Sequence, residues 1–115
     1  MTINPHSEKT WFTVCNASDL SPNTGICALV SGKQIAIFNC KRSEELFAID
    51  NYDPIGQANI LSRGIIGSVN GEPYVASPLY KQHFHLKTGV CLEEPTLSVA
   101  TYLVQEHDGQ IQVRT

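Results

Sequence analysis

A chain of 115 residues and 12.7 kDa has room for one domain, and at that size folding removes roughly two-thirds of the unfolded chain's surface from water. Its 42% hydrophobic and 17% charged residues are too apolar for a disordered chain and too polar for a membrane protein. The formal charge of −3 lacks the clustered cations on which a dedicated nucleic-acid binder relies.

Residues 1–10 read as an N-terminal tail and 11–115 as the domain. The tail, Met1-Thr2-Ile3-Asn4-Pro5-His6 onward, has neither the basic nor the apolar region of a signal peptide. The longest apolar runs fall far short of the roughly 20 residues that span a bilayer. A cytoplasmic location follows as the expectation, with neither nucleic acid nor membrane as partner.

Short segments rich in β-branched and aromatic residues then succeed one another: Trp11–Cys15, Ile26–Val30, Gln34–Cys40, Leu46–Asn51, Tyr74–Ser77, His83–Leu86, Leu97–Gln105 and Ile111–Arg114. The one helical candidate is a turn near Ser18-Asp19-Leu20, with Ser18 as its cap. Ser31-Gly32, Asn70-Gly71 and Asp108-Gly109 mark tight turns, because both central residues of such a hairpin loop take positive φ. Ile35–Phe38 is apolar at every position and is expected between two layers. Ile111 and Val113 alternate with Gln110, Gln112 and Arg114, as a half-buried strand requires. The pattern is that of an all-β sandwich or barrel of antiparallel strands. Cys15, Cys27 and Cys40 fall inside apolar runs and are expected to be buried thiols. Cys91 follows Gly89 in a loop and is the one to watch for exposure.

Between Tyr52 and Ile66 the strand pattern breaks down. Asn51-Tyr52-Asp53-Pro54-Ile55-Gly56-Gln57 and Ser77-Pro78-Leu79-Tyr80-Lys81-Gln82 read as two proline-containing loops, each following a strand. Loops leaving one end of a sheet are a common place for a site. Other constellations carry less. His83-Phe84-His85 sets two imidazoles on one strand face, which could share Zn²⁺ if further ligands converged, His107 and Cys91 being the other soft candidates; a polar strand face between buried Phe84 and Leu86 is the simpler account. Gly64-Ile65-Ile66-Gly67 lacks the lysine, hydroxyl and helix of a phosphate loop and reads as a turn into a strand. Glu93-Glu94-Pro95 reads as a solvated acidic turn.

Ala48-Ile49-Asp50-Asn51 with its loop, Leu61-Ser62-x-Gly64, Val75-Ala76-x-Pro78 and Phe84-x-Leu86-x-Thr88-Gly89 resemble a Rieske ferredoxin-type domain in order and spacing, from about Trp11 to Arg114. The fold implied is a Rieske-like β-sandwich or barrel with two loops at one end. Such domains hold a [2Fe–2S] cluster through Cys-x-His and Cys-x-x-His motifs. Carried over residue by residue, those positions are Asp53 and Ile55 in the first loop and Ser77 and Tyr80 in the second. None is a thiolate or an imidazole, and Ile55 has no lone pair at all. The resemblance therefore implies a scaffold without its cluster, with no catalytic, cofactor or metal residue of its own. Ile55, Leu79 and Tyr80 are candidates to pack the loops together or to contact a partner.

A clusterless chain of this length with Asn51-Tyr52-Asp53-Pro54-Ile55-Gly56 in its first loop is similar to the small subunits of bacterial assimilatory NAD(P)H-dependent nitrite reductases. That similarity implies an oxidoreductase subunit in nitrate and nitrite assimilation, itself non-catalytic. Its partner is a large subunit carrying FAD, a [4Fe–4S] cluster and sirohaem, on which nitrite is reduced to ammonium. The alternatives are an electron-transfer ferredoxin with atypical ligands such as Asp53, His83 or His85, and a clusterless binding module for another partner.

Overall fold

The computed structural model describes residues 10–79 and 81–115. They form eleven short strands: β1 (Trp11–Asn16), β2 (Gly25–Val30), β3 (Lys33–Cys40), β4 (Glu45–Asp50), β5 (Tyr52–Asp53), β6 (Ala58–Asn59), β7 (Ile65–Val69), β8 (Glu72–Ala76), β9 (His83–His85), β10 (Thr101–His107) and β11 (Gln110–Arg114). Two 3-10 turns, Ala17–Asp19 and Leu61–Arg63, are the only helical pieces among the described residues. Among the described residues no helix is long and apolar enough to cross a membrane.

All pairings are antiparallel. A six-stranded sheet runs in the order β1-β11-β10-β4-β3-β2 and curls until β1 approaches β2, giving a nearly closed barrel. A second sheet, β7-β8-β9, covers one side of it, and β5-β6 is a two-residue ladder inside the first loop. The hairpin turns follow the expected chemistry. Ser31 and Gly32, Asn70 and Gly71, and Asp108 and Gly109 all have φ between 50° and 80°, the geometry whose twist matches the flanking strands.

β3 explains the two-layer core. Ile35, Ala36, Ile37 and Phe38 are each wholly buried. Successive side chains point to opposite faces of a strand. Ile35 and Ile37 thus enter the barrel interior with Leu20, Val30, Ile111 and Val113. Ala36 and Phe38 enter a second core between the barrel and the β7-β8-β9 sheet, with Leu61, Val75, Phe84 and Leu86. The alternation expected for the last strand is also present, with Ile111 and Val113 buried and their neighbours turned outward.

Several expectations are corrected. The turn into a strand expected at residues 64–67 is present, and it leads into a full strand, β7, missing from the succession of strand-like runs because Gly67 and Ser68 dilute its β-forming character. The run 97–105 is broken: Leu97–Ala100 belongs to the segment before β10, with Ser98 bridged to Val90. Ser18 lies inside its 3-10 turn, and Asn16 stands at the cap position without a side-chain bond. The cysteines are redistributed: Cys40 is buried as expected, Cys15 is only partly so, and Cys27 is exposed because β2 is an edge strand. Cys91, the one thiol to watch for exposure, is fully buried.

Candidate functional site

The two loops meet. β4 ends at Asp50, and the buried Asn51 anchors the first loop to two other segments, β3 and the Leu61–Arg63 turn. Its side-chain amide donates to Gln34 Oε1 at 3.1 Å, its Oδ1 accepts the Ser62 N–H at 2.7 Å, and its carbonyl accepts the Leu61 N–H at 3.0 Å. This anchoring role was not legible from sequence, where Asn51 stood only as part of the loop string. Its identity as a turn-forming amide beside a strand end is the one signal that could have raised it.

Two residues further, Asp53 is wholly buried. Its Oδ1 accepts the backbone N–H groups of Ile55 (2.8 Å) and Gly56 (3.0 Å), and its carbonyl accepts the Gln57 N–H (2.7 Å), which curls the loop around the carboxylate. Its Oδ2 accepts the hydroxyl of Ser77 at 2.5 Å. Ser77 is equally buried and starts a second tight turn, in which its N–H donates to the Gln82 carbonyl and its carbonyl accepts the Lys81 N–H. A carboxylate taken out of water is tolerable only when its lone pairs meet donors, and here it meets three. The result is a hydrogen-bonded clasp joining loops that lie 24 residues apart in sequence.

The remaining loop candidates separate by burial. Ile55 is partly buried and packs against the core beneath the loops. Leu79 is 53% exposed, and it lies so near Gly56 that a side chain there would come within 3.1 Å of its Cδ1. Tyr80 lies outside the described residues. Two further exposed apolar side chains adjoin the loops: Tyr52 in the first, and Ile65, which pairs with Ala76 at the foot of the second.

The histidines are not brought to a common point. His83 Nδ1 lies 2.6 Å from Glu93 Oε2, and Glu93 Oε1 accepts the His83 N–H at 2.7 Å. Partial burial would raise the Glu93 carboxyl, but the His83 backbone and imidazole outweigh it and hold the group below its ordinary value. His85 is buried, with Nδ1 accepting the N–H groups of Lys87 and Thr88 and Nε2 facing Glu72 at 3.4 Å. The edge of Tyr74 stands beside both imidazoles, 4.9 Å from His85 and 6.5 Å from His83 between centroids. Each imidazole has its own carboxylate, and among the described residues no three His, Cys, Asp or Glu side chains converge as metal ligands. The strand face is the polar one expected, except that His85 is itself buried.

An all-antiparallel barrel capped by a three-stranded sheet, with two loops clasped at one end, defines the Rieske-like architecture, and the model of the Rieske-like [2Fe–2S] domain family matches residues 10–114. The nitrite reductase (NADH) small subunit of Salmonella typhimurium is 46% identical over 104 residues, covering 90% of this chain and 96% of that one. The solved structure of the Escherichia coli protein NirD superposes with a TM-score of 0.86 at 42% identity, covering 94% of this chain and 98% of that one. The chain belongs to the family of nitrite reductase (NADH) small subunits. A stretch of the Klebsiella oxytoca nitrite reductase [NAD(P)H] large subunit is also similar, 35% identical over 103 residues that make up 90% of this chain and 11% of that one.

Proposed function

We propose that this chain is the small, cofactor-free subunit of an NADH-dependent nitrite reductase, and that it supports the large catalytic subunit by docking on it through the clasped loop end. The observation that carries the reading is the Asp53–Ser77 pair. At the positions where a Rieske domain holds its cluster, the first loop offers a carboxylate and a hydrocarbon and the second a hydroxyl. A [2Fe–2S] cluster takes thiolates on one iron and imidazoles on the other. These residues do not fit it: Ile55 has nothing to donate, and the carboxylate and hydroxyl already satisfy each other at 2.5 Å. In a metalloprotein the metal ties such loops together; here hydrogen bonds do.

The electron-carrying groups, FAD, a [4Fe–4S] cluster and sirohaem, then belong to the large subunit, where nitrite is reduced to ammonium. A large subunit that carries a stretch similar to this chain supports the two working side by side. Exposed Leu79, Ile65 and Tyr52 around the clasp supply the apolar area that a contact of this kind buries. The same reading takes residues 11–115 as the docking domain, 1–10 as its tail, and the cytoplasm as its place of work.

The test uses the purified large subunit with and without this chain. Physical association is expected, together with nitrite-dependent NADH oxidation that this chain raises and no iron in this chain beyond background. Full activity in its absence without association would overturn the docking role, and a coloured chain with about two irons would overturn the cofactor-free one.

A further inference from the structure

Beside the clasp a groove of about 470 Å³ opens between the first loop, the end of the second, and the segment joining β9 to β10. Its lining combines two chemistries. Ile55 and Leu97 give it apolar wall, while Glu93, Glu94 and Thr96 give it acceptors, and no cation among the described residues lines it. Lys81 is exposed one residue from Gln82 but does not line the groove. Glu93 has both carboxylate oxygens engaged by His83. Glu94 Oε1 accepts the Thr96 hydroxyl at 3.0 Å, and its other oxygen makes no bond among the described residues. Gln82 also lines the groove, but its Oε1 is shut off from solvent and offers an incoming group no acceptor.

We propose that this groove receives a basic side chain, arginine or lysine, of the large subunit, an inference that rests on the docking role above. The apolar wall suits the hydrocarbon stem of such a residue, which prefers apolar surface while its charged head seeks polar partners. The head then meets the free Glu94 oxygen in a charge-assisted hydrogen bond. A bare metal ion fits less well, since only one carboxylate there has a free oxygen and no three-ligand set converges among the described residues. Ile55 ties the groove to the docking face, because it lines the groove in the loop whose Gly56 abuts exposed Leu79. The basic contact thus sits at the edge of the apolar one, the arrangement in which charge fixes register and steers association.

The experiment measures binding of the whole chain to the purified large subunit at low and high salt, for wild type, Glu94→Gln, Glu94→Lys, Leu79→Asp and a control, Glu106→Lys, at an exposed carboxylate of β10. Glu94→Lys should weaken binding roughly ten-fold at low salt, with the difference shrinking as salt rises, and Glu94→Gln should weaken it less. Glu106→Lys should bind as wild type, and the thermal melts of all four variants should show them folded. Both Glu94 variants binding as wild type while Leu79→Asp binds weakly would overturn the groove and leave the docking face standing. Equal losses for Glu94→Lys and Glu106→Lys would reduce the effect to net charge and also overturn it. A wild-type chain that does not bind removes the docking role itself.

Discussion

Deleting the Ser77 hydroxyl perturbs the clasp at its narrowest point. Ser77→Ala removes the one donor that reaches Asp53 Oδ2, in a place where both residues are out of water. A hydrogen bond to a charged group contributes about 1.5–3 kcal/mol net, and a buried carboxylate oxygen left without a donor adds to the loss, so the cost should be about 2–3 kcal/mol. Asp53→Ala also strips the Ile55 and Gly56 N–H groups of their acceptor and should cost about 3–5 kcal/mol. The double variant should cost less than the two singles together by about 1–3 kcal/mol, because once Asp53 is gone the hydroxyl has no partner left to lose. For a domain this size total stability is about 6–17 kcal/mol, so each loss is a large share of it. Urea unfolding of the whole chain, followed by the fluorescence of its single tryptophan, Trp11, should show a lower midpoint with an unchanged slope. A Ser77→Ala variant within about 0.5 kcal/mol of wild type, or strictly additive losses, would refute the clasp as the tie between the loops.

Leu79→Asp should leave the urea midpoint unchanged, since the side chain is half in solvent, while lowering affinity for the large subunit in a pull-down titration. Phe84→Ala opens a void in the core between barrel and second sheet and should cost about 3–5 kcal/mol in the same urea assay. Tyr102, desolvated and donating to Asp50 Oδ1 at 2.5 Å, has its pKa pushed up to about 12. Its neutral form is the one the fold favours. The contribution to stability is therefore complete below pH 10, the ordinary tyrosine value, and is lost as pH rises from there to about 12. Ultraviolet titration should show one tyrosine ionising late, and Tyr102→Phe should abolish that step.

Much of this molecule is readable locally. The three tight turns follow from dipeptides that tolerate positive φ, and the doubly buried β3 follows from an unbroken apolar run in a segment too short and too β-branched for a helix. What failed to show locally did so for identifiable reasons. β7 contains Gly67 and Ser68 and draws its ladder from β8, so its own composition says little. Leu97 and Val99 are apolar because they face the core beneath the loops, and the β10 ladder to β11 begins only at Leu103. Cys27 is exposed where burial was expected, and Cys91, the thiol to watch for exposure, is buried, because burial depends on which strand lies at an edge and which loop is folded under.

The loop end shows the same division most sharply. Sequence alone determined that the chain is a small antiparallel β domain, that it resembles a Rieske scaffold, and that Asp53, Ile55 and Ser77 stand in its loops where other chemistry is usual. Those are properties of residue type and spacing along the chain. That Asp53 and Ser77 bond to each other, that Ile55 turns inward while Leu79 turns out, and that Glu94 borders a groove beside them, only the tertiary structure decided. Each of these depends on contacts between segments far apart in sequence, and a hydrogen bond between residues 24 positions apart exists only once the sheets have brought both loops to one end.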